Sequence, residues 1–145
     1  MILIDVNVLL YAHNEADIRH KYCVRWLESV RADGELLGIP WHCFLAFMRL
    51  ATAPGAVSRP LSRVEAARAV EGWLNHPQVV IPTPGSRFWK ILQEVGADAG
   101  TKGRGWSDAY LAALAIENGA ALATFDRDFR KFRELKLVEL EEMSA

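Results

Sequence analysis

The sequence predicts a three-layer α/β/α sandwich with a mainly parallel central sheet. Short apolar runs alternate with amphipathic helical patterns, and the residues that break secondary structure fall between them. This alternation is typical of parallel sheets, because each crossover places a helix on a face of the sheet. The 145 residues, 51% of them apolar, are enough for a core without disulfides or metals, so we expect one domain spanning 1–145.

The first third of the chain is predicted to contain one strand and two helices. An apolar strand over 2–4 is followed by a helical pattern over 6–13. Asp17 is the expected N-cap of a longer helix, in which apolar residues recur at helical spacing. Gly34 is expected to end that helix.

The middle third begins with a second predicted strand over 36–39. Pro40 starts the next helix, since its fixed φ suits a first turn. A loop covers 53–60, and Ser62 with a glutamate three residues later forms a capping box that opens a helix ending near Asn75.

The last third contains the remaining elements. Apolar runs predict strands, helical spacing predicts helices, and glycine and proline mark the connections. A strand over 78–81 is followed by a helix that carries Phe88, Ile91, Leu92 and Val95, and then by a mobile glycine-rich loop over 96–105. The next helix covers 107–118, with Ser107 as its cap and Gly119 as its stop. Strands over 120–124 and 137–140 complete the chain.

Composition excludes several classes of protein. Cys23 and Cys43 form no paired motif, which predicts two reduced core residues in a cytoplasmic protein. The apolar run over 36–48 is too short to cross a bilayer, and the start of the chain is not typical of a signal peptide, so we expect no membrane association. A sequence pI near 6.4 argues against a globally basic nucleic-acid binder and leaves room for a local basic rim.

Four aspartates follow the pattern of a carboxylate site. Asp5 closes the first strand, Asp126 and Asp128 follow the fourth, and Asp108 lies in the first turn of a helix. In a parallel sheet the ligand crevice lies outside the carboxyl ends of the strands, so all four can reach one rim. Taken singly, each also has an ordinary explanation, because aspartate is favoured at helix caps and in first helical turns.

The joint placement favours a metal ion. Two like charges about 4 Å apart repel by roughly 4 kcal/mol at an effective dielectric of 20, so gathered carboxylates need a cation or must partly protonate. Oxygen ligands favour Mg²⁺ or Mn²⁺ over Zn²⁺, and such an ion can activate water and neutralise a phosphate oxygen. The predicted class of reaction is metal-dependent phosphoryl chemistry, of which phosphodiester hydrolysis is one example.

Three segments resemble a known family. ILIDVNVLLY at 2–11, SDAYLAALA at 107–115 and TFDRDF at 124–129 are similar, in that order, to the PIN domain, and more narrowly to the VapC toxins of type II toxin–antitoxin pairs. The resemblance implies an Mg²⁺- or Mn²⁺-dependent endoribonuclease that cleaves RNA, pairs with a VapB-like antitoxin and forms a homodimer. It also implies metal-binding catalytic roles for Asp5, Asp108 and Asp126, with Asp128 as an additional metal-binding carboxylate.

The sequence departs from the family at one position. Members commonly carry a glutamate just before an aromatic residue and an arginine on the helix after the second strand, and here that position holds Ala46. Two interpretations therefore stay open: an enzyme that ligates through Asp128 and water instead, or a PIN-fold module that binds antitoxin or RNA without efficient cleavage. A phosphoacceptor receiver-like domain is disfavoured, because the third strand ends at Ile81 and Pro82 rather than at an aspartate.

Several other polar residues near these motifs have two explanations. Asn7 either orients a metal-bound water or helps to cap the first helix, and Ser107 and Thr124 are either polar contacts at the metal site or ordinary caps. Cations near the motifs are either RNA phosphate contacts or a solvated helix face. These cations are Lys102, Arg104, Arg127, Arg130, Lys131 and Arg133.

The tryptophans are mostly interpreted as packing residues. Trp26, Trp41, Trp73 and Trp89 lie at helical spacing with other apolar residues, which is typical of core anchors. Trp106 is the exception, since it stands beside the glycine-rich segment and close to Asp108. It is therefore the candidate for stacking on a base.

Overall fold

The computed structural model describes residues 1–141, so the last four residues of the predicted domain, 142–145, lie outside the described part. In chain order the elements are β1 (Ile2–Ile4), α1 (Val6–Ala12), α2 (His20–Ala32), β2 (Leu37–Gly38), α3 (Trp41–Ala51), α4 (Arg63–Leu74), β3 (Val79–Val80), α5 (Phe88–Asp98), α6 (Gly105–Glu117), β4 (Ala121–Thr124), a 3₁₀ helix (Arg127–Lys131) and β5 (Leu137–Glu139). The five strands form one parallel sheet in the order β3-β2-β1-β4-β5.

The predicted fold class is confirmed. β1 lies at the centre of the sheet, where Ile2 pairs with Leu37 of β2 on one side and with Ala121 of β4 on the other. Helices α1 to α4 pack against one another in a group, and α5 packs along α6. Together they cover the sheet in a three-layer α/β/α arrangement. Because every strand runs in the same direction, all carboxyl ends meet at one edge.

Most predicted caps form as expected. Ser62 accepts a hydrogen bond from the Glu65 N–H at 3.1 Å, and the Glu65 carboxylate accepts one from the Ser62 N–H at 3.0 Å, which completes the capping box. Gly34 and Gly119 follow the ends of α2 and α6 with φ values of +72° and +62°, a conformation that glycine adopts without strain.

Three predicted boundaries are wrong. α2 begins at His20 rather than directly after Asp17, because the Asp17 carboxylate forms a local turn with the backbone N–H of Arg19 and an ion pair with its side chain. α6 begins at Gly105, two residues before the predicted cap Ser107. α5 extends to Asp98, so the connection to α6 is shorter than the predicted glycine-rich loop.

The core is built around the central strands and the inner faces of the helices. Cys23 and Cys43 are buried and free, as predicted. The expected packing role is confirmed for Trp26 and Trp73, which pack against the core, but it is wrong for two other tryptophans. Trp41 is 50% exposed and Trp89 66% exposed. None of the helices described is both long and apolar enough to cross a membrane.

Candidate active site

Asp5 lies at the carboxyl end of the central strand and is 5% exposed. Its backbone N–H donates to the carbonyl of Ala123 at 3.0 Å, which fixes the end of β1 against β4. One carboxylate oxygen accepts from the Val6 N–H at 2.7 Å and caps α1. The other accepts from the Thr124 hydroxyl at 2.7 Å and from the Asn7 amide at 3.2 Å. The carboxylate is therefore held in one orientation by three donors.

A small polar network connects Asp5 to the next acid at the same edge. The Thr124 hydroxyl oxygen accepts from the Asp126 N–H at 2.9 Å and from the Asn7 amide at 3.2 Å. The Asn7 side-chain carbonyl accepts from the Phe125 N–H at 3.3 Å. Asn7 and Thr124 thus hold the ends of β1 and β4 together, and both touch the acid predicted to bind metal.

The ordinary explanation holds as well, since two of the four aspartates cap helices and the other two lie in first helical turns. Asp5 caps α1, and Asp126 accepts from the Asp128 N–H at 2.9 Å and caps the 3₁₀ helix. Capping occupies one carboxylate oxygen of each residue. Asp128 is exposed, whereas Asp108 is half-buried in the first turn of α6.

The electrostatics of Asp5 are unusual for an aspartate. Burial raises its pKa to about 6, although the hydrogen bonds from Thr124 and Val6 act in the opposite direction. The charges of Asp108 and Asp126 raise the pKa further. An acid in this position is stabilised as the anion when a cation is nearby.

Asp108 belongs to the same electrostatic group. Burial is the largest cause of its raised pKa, and the neighbouring charges of Asp126 and Asp128 act in the same direction. The ammonium group of Lys131 opposes them. The structure therefore places Asp5 close enough to Asp108 and Asp126, and Asp108 close enough to Asp126 and Asp128, for their charges to interact, although they come from three separate parts of the chain.

A cavity of about 200 Å³ opens between α3 and the start of α6. Asp5, Ser107 and Asp108 line it, and Ala46 of α3 lines it as well. The methyl group of Ala46 thus stands in the same cavity as the acids, at the position where the resemblance led us to expect a glutamate. On this chain α3 contributes no carboxylate to the cavity wall.

Two residues of the cavity were not identified from the sequence. His42 and Arg49 lie on the α3 wall with Ala46 between them. Their spacing, i and i+7 with Ala46 at i+4, predicts that these side chains share one face of α3, but it does not show that this face lines the cavity of the acids. The His42 ring packs against the Tyr110 ring with 5.0 Å between centroids, and burial lowers the pKa of His42. The wall opposite the acids is therefore neutral to basic.

The donor chemistry fits an oxygen-preferring divalent ion. Within residues 1–141, no group of three or more His, Cys, Asp or Glu side chains is arranged closely enough to hold a metal ion. Mg²⁺ commonly binds through one or two carboxylates, with waters and a substrate phosphate completing its octahedron. Asp5 and Asp108, which share the cavity, are the pair best placed for this kind of site.

Comparisons with known proteins identify the family of this chain. A model of the PIN domain matches residues 2–135. The chain belongs to the PIN-domain family. Ribonuclease VapC37 of Mycobacterium tuberculosis is 39% identical over 136 residues, which cover 94% of each chain. Ribonuclease VapC43 of the same species is 37% identical over 137 residues, covering 94% of this chain and 92% of that protein. The resemblance inferred from the three motifs is confirmed.

Solved PIN-domain structures share the fold at low sequence identity. VapBC2 from Rickettsia felis, bound to a DNA fragment of its promoter, superposes with a TM-score of 0.73 at 16% identity, covering 96% of this chain and 98% of that chain. Mycobacterium tuberculosis VapC20, described as a sarcin-ricin loop cleaving toxin, gives a TM-score of 0.65 at 16% identity, with coverage of 90% and 93%. These likenesses confirm the predicted three-layer fold of this PIN-domain chain.

The Thr124 hydroxyl offers a direct test of the network around Asp5. Replacing Thr124 with valine removes the donor to Asp5 and the acceptor of the Asp126 N–H. Since partners that orient metal ligands typically contribute 10–100-fold, we expect divalent-metal affinity to fall by roughly tenfold or more. Isothermal titration with Mn²⁺ measures this, and Thr124→Ser, which keeps the hydroxyl, is the matched control. Equal affinity in the valine variant and the native protein would contradict the assigned role.

Proposed function

We propose that this PIN-domain protein is a divalent-metal-dependent endoribonuclease and the toxin of a type II toxin–antitoxin pair. The observation that carries the proposal is the cavity at the carboxyl edge of the sheet, where buried Asp5 faces Asp108. Relatives that match 94% of the chain are named ribonucleases, which supports RNA as the substrate class.

Mg²⁺ or Mn²⁺ is the proposed metal, held by Asp5 and Asp108, with Asp126 and Asp128 at the flank. When bound, such an ion lowers the pKa of a coordinated water and neutralises charge on a phosphate oxygen. The chain itself orients the site, because Thr124 and Asn7 fix the Asp5 carboxylate. Arg49, exposed on the opposite wall of the cavity, is placed to contact an RNA phosphate.

A VapB-like antitoxin and a second copy of the chain are the proposed protein partners. Structural neighbours of this fold include VapBC from Salmonella typhimurium bound to DNA and FitAB bound to a DNA fragment, with TM-scores of 0.65 and 0.68. The VapBC neighbour on DNA, together with the VapC names of the relatives that match this chain, supports a VapB-like partner here.

A non-cleaving binding module is the second candidate, and Ala46 is the observation that favours it. The α3 wall contributes no carboxylate to the cavity, so fewer charged ligands are available to an ion. In this case the chain binds antitoxin or RNA and does not cut.

A cleavage assay separates the two candidates. We expect the purified chain, incubated with total RNA and Mn²⁺ or Mg²⁺, to produce discrete fragments. We expect excess EDTA to stop the reaction, because a bound divalent ion would be needed to activate the attacking water. Restoring activity by adding Mn²⁺ back controls for damage by the chelator. RNA binding without cleavage under any of these conditions would support the binding module instead.

The raised pKa of Asp5 predicts a pH dependence of metal binding. A carboxylate must be ionised to ligate an ion, and Asp5 is protonated below about pH 6 in the metal-free chain. We therefore expect the apparent Mn²⁺ affinity to fall by roughly tenfold per pH unit below that value. Titration calorimetry between pH 5 and 8 measures it. An affinity that stays constant down to about pH 5 would contradict ligation by Asp5.

The same shift affects the stability of the metal-free chain with a defined sign. The folded-state pKa of Asp5, about 6, lies above the usual aspartate value of 3.8, so the folded state holds this proton more tightly than the unfolded state. The contribution of Asp5 to the free energy of unfolding is full at low pH and is lost as the pH rises from about 4 to about 6. The free energy of unfolding is measured against pH for the native chain and for Asp5→Asn. The difference between the two curves separates the contribution of Asp5 from that of the histidines, which both chains share.

A further inference from the structure

A second cavity lies on the other side of the start of α6. It has a volume of about 470 Å³ and is formed where α5 passes into α6. Gly96, Gly100, Thr101, Lys102 and Trp106 are among the residues that line it. It shares no lining residue with the carboxylate cavity.

Trp106 forms the aromatic wall of this cavity and is 43% exposed. Its ring lies directly against the backbone of α5 at Gly96, where an added Cβ would come within 2.6 Å of two ring carbons. Glycine at this position therefore lets the indole pack closely on one side. The remaining exposed part of the ring faces the cavity and solvent.

The chemistry of the other lining residues suits a flat apolar ligand that carries a negative charge. Gly96, Ala97 and Gly100 leave a nearly bare backbone surface beside the ring, and Lys102 supplies a positive charge. None of the described lining side chains is acidic. Proteins bind an unstacked base and its phosphate with a planar aromatic ring and a positive charge. The backbone surface without bulky side chains leaves room for the base beside the ring.

The position of Trp106 connects this cavity to the carboxylate site. Trp106 directly precedes Ser107 and lies two residues before Asp108, both of which line the carboxylate cavity. At about 1.5 Å per residue, Trp106 and Asp108 are only about 3 Å apart along the axis of α6, although their side chains leave the helix on different sides. A single strand that crosses the start of α6 can therefore reach both cavities.

We propose that the cavity beside Trp106 is a nucleobase subsite, in which a base of single-stranded RNA next to the cut stacks on the indole while Lys102 contacts its phosphate. The inference rests on the proposed function, because it takes RNA as the ligand. It adds a residue that holds a base next to the cut and so positions the strand, since stacking on an aromatic ring accepts any base.

The test is a double-mutant cycle between the bases and the indole, carried out in the Asp5→Asn chain, in which we expect cleavage to be too slow to disturb a binding measurement. The probes are a fluorescein-labelled single-stranded octaribonucleotide of mixed sequence and the same octamer with every base removed, and fluorescence anisotropy measures binding in Mg²⁺. Stacking of one base on an aromatic side chain corresponds to at least about fivefold in affinity. We therefore expect Trp106→Ala to weaken binding of the intact octamer at least fivefold and to leave the abasic octamer unchanged. Trp106→Phe should retain most of the affinity.

Trp41→Ala is the matched control, since Trp41 is also half-exposed but lies on α3 outside this cavity. It should leave the affinity for both octamers unchanged. If Trp106→Ala weakens both octamers equally, or neither, the subsite is wrong. Because the assay measures binding rather than cleavage, this result is independent of whether the native chain cleaves RNA.

A second measurement covers the case in which Trp106→Ala does not fold, as judged by circular dichroism. An octamer containing 4-thiouridine is photocrosslinked to the Asp5→Asn chain, and the modified peptides are mapped by mass spectrometry. We expect crosslinks in the segment that carries Lys102 and Trp106. Crosslinks confined to other parts of the chain would overturn the proposal.

Discussion

Replacing Asp5 with asparagine is expected to reduce RNA cleavage at least about 100-fold, because loss of a metal ligand removes several kcal/mol of transition-state stabilisation. Asp5 is the most buried of the four acids and lies at the centre of the polar network. Asp108→Asn is expected to have a similar effect, since both carboxylates line the same cavity. Initial rates of cleavage of a labelled RNA in saturating Mn²⁺ measure the loss.

The matched control for both variants is Asp33→Asn, which changes an exposed aspartate at the end of α2. It should keep the native cleavage rate. Circular dichroism must show native secondary structure for Asp5→Asn, because Asp5 also caps α1. A folded Asp5→Asn protein that cleaves at the native rate would exclude Asp5 from the chemistry.

Ala46→Glu is expected to change metal affinity and stability in opposite directions. A third carboxylate in the cavity of Asp5 and Asp108 adds a charged ligand, so we expect Mn²⁺ affinity to rise by roughly tenfold. Without metal the added charge repels its neighbours, and the free energy of unfolding should fall by roughly 1–4 kcal/mol. Calorimetry with Mn²⁺ and urea unfolding with and without Mn²⁺ measure the two effects.

The adjacent residue provides the control for this prediction. Leu45 is 69% exposed on the same helix, so Leu45→Glu adds the same charge outside the cavity. It should change neither metal affinity nor metal-free stability substantially. Unchanged metal affinity in Ala46→Glu would show that the missing glutamate is irrelevant to this site, and would remove the main argument for a non-cleaving module.

Local signals in the sequence were enough to predict much of the fold. The Ser62 capping box and the glycines at 34 and 119 act on their own helix ends, so their effects do not depend on distant packing. Asp17 was misassigned because the sequence does not show whether a side chain caps a helix or binds its neighbour Arg19. The exposure of Trp41 and Trp89 was also beyond prediction, since a helical stripe does not reveal which neighbour covers it.

In the candidate site, too, some features could be predicted from the sequence and others depend on distant packing. Asp5 and Asp126 could be placed at one edge because parallel topology brings strand ends together, and Asp108 followed from its position in a first helical turn. The contributions of His42 and Arg49 depend on how α3 rotates against α6, which the helical spacing alone does not determine. The hydrogen bond between Thr124 and Asp5 joins residues 119 positions apart, so only the folded chain shows it.

The most direct test of the account is the location of the ion. Crystals of the chain are grown with Mn²⁺ and measured at the manganese absorption edge. The anomalous density then distinguishes a bound manganese ion from a water molecule. We expect one strong peak at ligating distance from a carboxylate oxygen of Asp5 and one of Asp108. The absence of a peak at saturating Mn²⁺, or peaks only at other surfaces, would contradict a shared metal site at the carboxyl edge of the sheet.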